Sequence, residues 1–166
     1  MFSKNAKAIR KKDKEAIMKQ WMRFIKEYIS LNRIDNIVGP IPLFEQEEYI
    51  NDISNKAGVY FFISKSKRYI YPKGESPIIY IGTSNSLRRR LKEHLKSFHI
   101  AQQHVNEKDL WVYSRYNYII FHGAEVFYLP IIGKENAKDL ESKILENFFD
   151  KYASLPVGNG AFSYRR

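Results

Sequence analysis

The sequence predicts an α+β fold: a small, mostly antiparallel sheet flanked by helices, with an N-terminal helical extension. Two observations carry this. Short runs of β-branched and aromatic residues, bounded by Gly or Pro, stand at 58–64, 78–82 and 125–132, as strands require. Apolar residues recur at helical spacing in 11–31, 87–98 and 134–152, so each of these stretches offers one face to a core.

Residues 1–9 carry no pattern. In 11–31, Ile17, Trp21, Phe24, Ile25, Tyr28 and Ile29 form a stripe, with Lys14, Lys19, Arg23 and Lys26 elsewhere. Such a helix docks on its own domain or on a partner subunit, or lies on a membrane surface; docking is the commoner fate. Gly39-Pro40-Ile41-Pro42 is a stiff break, because Pro fixes φ and cannot continue a helix. A short helix is expected at 44–54. The first strand is Gly58 to Ser64. The second ends at Gly82, where the absence of a Cβ permits a close approach. Between them, 65–77 reads as a basic, tyrosine-bearing hairpin or loop. Asn85 or Ser86 can cap the next helix, and Leu87, Leu91, Leu95 and Phe98 face the core. Residues 101–108 are turn-like. Trp111 to Phe121 reads as either strand or helix, and propensity favours the strand. Gly123 ends it, Glu125 to Ile132 is a further strand, and Gly133 precedes the helix 134–152. Residues 154–166 are a Pro/Gly-rich tail.

A chain of 166 residues holds one domain with a core and an appendage. Hydrophobic residues make up 44%, which excludes a disordered polypeptide. No apolar run reaches the ~20 residues of a membrane span, and no signal peptide is visible. With no cysteine there is no disulfide frame, zinc knuckle or thiol nucleophile; a cytoplasmic protein is expected. The net charge of +10 points to nucleic acid or another anionic surface. Its distribution is sharper. Residues 1–26 hold nine Lys/Arg against two acids, and 88–96 hold five against one. Lys65, Lys67, Arg68 and Lys73 form a third cluster, separated from the first by Glu45, Glu47, Glu48 and Asp52. The clusters either line one groove or simply keep the protein soluble.

Arg90 and His94 stand one turn apart on the helix that follows Gly82, so a permanent cation and an imidazole share a ridge. That pairing suits a phosphate. Glu141 lies on or beside the apolar stripe of Ile144, Leu145 and Phe148. A carboxylate there needs a metal or a basic partner.

Gly58-Val59-Tyr60 and Tyr80-Ile81-Gly82, with Arg90 eight residues after Gly82, His94 four further on and Glu141 on a later helix, resemble the GIY-YIG nuclease family. Asn159 is a looser match. The resemblance covers roughly 57–160 and divides the chain into a basic helical extension, 1–54, and a nuclease-like domain, 55–166. It implies a GIY-YIG-like fold and a metal-dependent DNA endonuclease. Tyr60, Tyr80, Arg90, His94 and Glu141 are then the catalytic set, and Glu141 holds Mg²⁺ (or Mn²⁺). Tyr60 is put forward as the base that activates water, with Tyr80 and His94 orienting phosphate or water; members divide these roles differently. Arg90 offers a bidentate cation to a phosphate oxygen. Asn159 either orients the scissile phosphate or caps the tail.

Arg88, Arg89, Lys96, Lys65, Lys67, Arg68 and Lys73 are the expected DNA contacts, with Asn159. Basic side chains in the 65–77 spacer would meet phosphates, and its tyrosines bases or sugars; the alternative is an ordinary exposed turn. Only 25 residues follow Glu141, so no separate DNA-binding tail is expected, and a stand-alone restriction-type enzyme fits better than a homing or repair member. The partner is then double-stranded DNA. Cutting both strands favours a homodimer, and neither a membrane nor a small-molecule cofactor is called for. Two rivals stand: an idle nucleic-acid-binding module on the same fold, and a protein acting on RNA.

Overall fold

The computed structural model describes residues 37–104 and 114–160, together with Glu15, Ala16 and Lys19. In chain order these form β1 (Val38–Ile41), a 3-10 turn (Glu47–Asp52), β2 (Gly58–Ser64), β3 (Tyr69–Tyr71), β4 (Gly74–Ser76) and β5 (Ile78–Ser84). Helices α1 (Leu87–Gln103) and α2 (Ser114–His122), strand β6 (Ala124–Pro130) and helix α3 (Lys134–Tyr152) follow. The fold is α+β. A four-stranded sheet runs in the order β1-β6-β2-β5 with every pair antiparallel, and β3-β4 form a separate hairpin.

β2 is central because its side chains are apolar on both faces: all seven residues are buried. Alternation along the strand sends Tyr60 and Phe62 to one face, where both rings meet His94 of α1. α1 buries Leu87, Leu91, His94, Leu95 and Phe98. α3 packs a stripe including Leu140, Ile144, Leu145 and Phe148 against β5 and β2.

Several expectations are corrected. Most of the helix expected at 11–31 lies outside the described residues; Glu15, Ala16 and Lys19 are helical. The stiff break at Gly39–Pro42 overlaps β1, an edge strand bonded to β6 on one side only, where proline is tolerated. The short helix at 44–54 is the tighter 3-10 turn. The stretch 38–54, assigned from sequence to the extension, supplies β1 to the sheet and Leu43, Phe44, Ile50 and Ile53 to the core.

The strand expected across 111–121 is helix α2 from Ser114 onward; 105–113 lie outside the described residues. Aromatic and β-branched residues favour extended structure only weakly, and packing against α1 overrides that preference. The free edge of β5, where a further strand could have paired, is also occupied. Gly158 N–H donates to Ile79 O (2.7 Å), and the Asn159 amide bonds Ile81 N–H and O (3.0 and 2.8 Å).

The spacer is a hairpin, as one reading held, but its tyrosines turn inward. Tyr69 packs on Tyr118 and His122 of α2, and Tyr71 on Phe148 and Tyr152 of α3. Burial raises both phenols, Tyr69 to about 12.

Gly82 faces Tyr60 across the β2-β5 pair. A Cβ at this position would stand 2.6 Å from the Tyr60 hydroxyl and 2.7 Å from the Tyr80 ring. Gly82→Ala is therefore expected to displace the Tyr60 ring and destabilise the fold by ~1–3 kcal/mol, the usual cost of overpacking. Urea denaturation measures this; a variant as stable as the parent would mean that the ring moves aside freely.

Candidate functional site

Strands β2 and β5 and helix α1 bring together four side chains that are spread over 34 residues of sequence. Tyr60 is fully buried, and its hydroxyl lies 2.7 Å from His94 Nε2. Its ring also meets Tyr80, with centroids 5.9 Å apart. Arg90 stands one turn before His94 on α1, and its guanidinium Nη1 donates to Glu93 Oε2 (2.8 Å). The sheet positions the two tyrosines, and α1 lays the Arg90–His94 ridge across them.

Two further residues complete the arrangement. Tyr116 hydroxyl lies 2.8 Å from His94 Nδ1, and the Arg115 guanidinium sits 4.0 Å from the centre of the Tyr80 ring, a cation–π contact. Both come from α2 and escaped the sequence reading because their segment was assigned to a strand. A helical reading of the same letters puts Tyr116, Ile119 and Ile120 on one side, and that spacing was the available signal.

Electrostatics fix the protonation of the cluster. Burial, then the charges of Arg90 and Arg115, lower His94 to about 3. At neutral pH it is therefore an uncharged imidazole with one donor and one acceptor nitrogen. One of its two tyrosine partners donates to it and the other accepts from it, giving the chain Tyr60–His94–Tyr116. Burial pushes Tyr60 well above the ordinary phenol range; Tyr80 adds to the rise and Arg90 opposes it without winning. Burial also raises Tyr116, against Ser97, Arg115 and Arg90. For Arg90, burial acts downward, but the bond to Glu93 and the neighbouring phenols outweigh it and the net shift is upward. Arg90 by itself therefore does not bring the Tyr60 phenol down: desolvation is the larger effect.

Glu141 is the only buried carboxylate among the described residues. It lies on α3 one turn after Lys138, which shares a cleft with Arg90. No group of three or more His, Asp or Glu converges as a metal cage among the described residues. A single carboxylate suits a hard divalent ion that keeps its waters and takes further oxygens from a substrate.

The residues expected to touch nucleic acid fall into two sets. Lys67, Arg68 and Lys73 are exposed on the hairpin, and Lys96 is exposed on α1. Arg88, Lys65, Arg89 and Asn159 are held within the fold by identified partners. Arg88 Nε donates to Ile53 O (2.7 Å), and Lys65 Nζ pairs with Glu45 (2.6 Å). Arg89 pairs with Glu93 (2.7 Å) and bonds Asn85 Oδ1 (3.0 Å). Asn159 spends both amide atoms on the Ile81 backbone, the tail-capping role. Ser64, where the hairpin begins, is about 13 Å along β2 from Tyr60 at the strand rise per residue. α2 bridges that gap: its Arg115 end meets Tyr80 and its Tyr118–His122 end meets Tyr69.

Comparison of the chain with protein-family models, curated proteins and solved structures finds no match. No helix among the described residues is long and apolar enough to cross a membrane.

The buried imidazole makes a pH prediction. His94 takes up a proton near 6.5 when unfolded but only at about 3 when folded. Between those values the unfolded state binds more protons, so stability falls as pH falls. From about pH 6.5 to about pH 5 His94 should cost roughly 2 kcal/mol, at 1.36 kcal/mol per unit. His94→Gln should remove this part of the pH dependence while lowering stability at neutral pH. Urea melts at both pH values check it; equal pH slopes in parent and variant would contradict a buried, neutral His94.

Proposed function

We propose that this chain is a metal-dependent DNA endonuclease of the GIY-YIG type, acting as a restriction-type enzyme on double-stranded DNA. The observation that carries the reading is the 2.7 Å contact between the Tyr60 hydroxyl and His94 Nε2, beside the Arg90 cation. Two residues that the family resemblance put forward, 34 positions apart, meet in a geometry suited to proton transfer.

Hydrolysis of a phosphodiester needs an activated water, stabilisation of charge on phosphorus and help for the leaving oxygen. Tyr60 takes a proton from water and passes its own to His94 Nε2. In this step His94 is in the tautomer with its acceptor at Nε2, and Nδ1–H donates to Tyr116. Burial is the larger cause of the low His94 basicity; a substrate phosphate at Arg90 offsets the smaller contribution of that cation and to that extent makes the imidazole a better base. Arg90 binds a non-bridging oxygen through its guanidinium fork, exchanging Glu93 for phosphate. Tyr80, held under Arg115, orients the phosphate or the water.

The donor set fits Mg²⁺ (or Mn²⁺): Glu141 would hold the ion, and the bound ion supplies charge neutralisation at the phosphate and leaving oxygen. A two-fold dimer would present two such sites to a palindromic duplex.

A plasmid digest with Mg²⁺ tests the reading, with discrete bands expected. Arg90→Ala should abolish cleavage and keep most DNA binding, because the remaining basic residues still release counterions. Near-normal turnover in that variant would sink the assignment. Glu141→Gln should keep metal-free DNA binding and lower cleavage by orders of magnitude at every Mg²⁺ concentration. A variant that melts much earlier yet still cuts would return Glu141 to a structural role.

A further inference from the structure

We infer that the cleft between the start of α1 and the first turns of α3 binds a second phosphate of the nucleic-acid backbone, adjacent to the one that faces Arg90. This rests on the nuclease reading and extends it to Lys134 and Lys138, which the sequence did not single out.

The cleft has a volume of about 390 Å³ and is lined by Arg89, Arg90, Lys134 and Lys138 against one carboxylate, Glu93. Glu93 places one oxygen on each guanidinium, at 2.7 Å from Arg89 and 2.8 Å from Arg90. The two guanidinium groups thus already flank one small oxyanion; with Arg90 given to the first phosphate, Arg89 faces Lys134 and Lys138 across the cleft and with them can hold the next. Lys134 and Lys138 form no ion pair among the described residues. They stand one turn apart on α3 and point their charge into the same cleft. Like charges so placed repel each other, a cost that an anion between them and the arginines removes. Lys134 is also the first residue of α3, and the positive end of the helix adds to the field.

The remaining wall is polar. Thr83, Ser84 and Asn85 line it, and their side chains are tied to Gly58 O, Ser86 and Arg89. An apolar ligand finds no surface here. Every cation of the cleft is at least partly open to water, which suits an extended backbone passing over it better than an enclosed small molecule. The direction follows from α3. Lys134, Lys138 and Glu141 are spaced by four and then three residues, so they share one ridge. A strand held at Arg90 crosses this ridge as it leaves the site.

The test uses the full chain and two probes, inorganic phosphate and a short DNA duplex. In ¹⁵N-resolved NMR, phosphate should shift the amides of Thr83, Ser84, Asn85, Lys134 and Lys138 in the parent, and much less in Lys134→Gln/Lys138→Gln. Glu93→Gln, which frees both guanidinium groups, should bind phosphate more tightly than the parent. Duplex affinity measured against salt should lose about one unit of slope per lost phosphate contact in the double variant. Lys143→Gln, on the opposite side of α3, is the control and should keep the parent slope. A double variant with the parent slope, or one that changes no more than Lys143→Gln, overturns the inference while leaving the nuclease reading standing. Phosphate shifts in a parent that binds no duplex would overturn both the nuclease reading and the assigned ligand.

Discussion

The hydrogen bond between the Tyr60 hydroxyl and His94 Nε2 is the contact on which the rest of the molecule depends. Both side chains are almost wholly removed from water. A buried hydroxyl or ring nitrogen without a partner costs ~1–3 kcal/mol, so the pair fixes how α1 lies across β2. Gly82 makes room for the Tyr60 ring, Tyr116 satisfies the other nitrogen of His94, and Arg115 ties α2 to Tyr80. Strands β2 and β5 and helices α1 and α2 are thereby joined through one small polar cluster inside an aromatic core. Phe62 completes it, packed edge-on against the His94 ring at 5.0 Å.

The same burial that makes the contact structural sets its chemistry. Desolvation keeps the imidazole neutral and the phenol protonated; Arg90 and Arg115 strengthen the first effect, and Arg90 opposes the second. The cluster is therefore loaded for proton transfer but poorly driven while its cations face only Glu93 and a ring. An anion that binds Arg90 offsets the part of that restraint due to the Arg90 charge, while desolvation, the larger cause, stays. In the proposed hydrolysis, substrate binding and activation of the base are one electrostatic event. The hairpin is connected to this cluster through α2, whose Arg115, Tyr118 and His122 lie along one ridge; contacts made by Lys67, Arg68 or Lys73 would bear on a helix that also touches the site.

Much of this was legible in the sequence because local signals agreed with the global fold. The β-branched and aromatic run at 58–64 read as a strand, and the apolar residues of α3 recur at helical spacing from Leu140 to Tyr152. Gly82 was read as a point of close approach, and the structure identifies the atoms that approach it. The failures have physical causes. α2 is rich in tyrosine and isoleucine, whose strand preference is weak enough for packing to reverse. Arg115 and Tyr116 were lost with it, although they complete the site. Asn159 looked like a polar group available to substrate, but the open edge of β5 claims it. Arg88 and Lys65 looked like free charges, and only the folded chain reveals the backbone carbonyl and the carboxylate that hold them. Lys134 and Lys138 carried no motif at all; their significance comes from the cleft they share with Arg90.

The central claim is that the Tyr60 hydroxyl takes part in chemistry and does not merely satisfy a buried histidine. Tyr60→Phe removes one oxygen and keeps the ring, so a single-turnover cleavage assay on saturating duplex DNA, paired with a thermal melt, separates the two roles. Cleavage is expected to fall by at least about a thousandfold, on the scale of losing an activated water and its proton path, with DNA binding retained and a folded protein. Cleavage within a few-fold of the parent, in a variant that melts earlier, would contradict it and leave the Tyr60–His94 contact as a feature of packing alone.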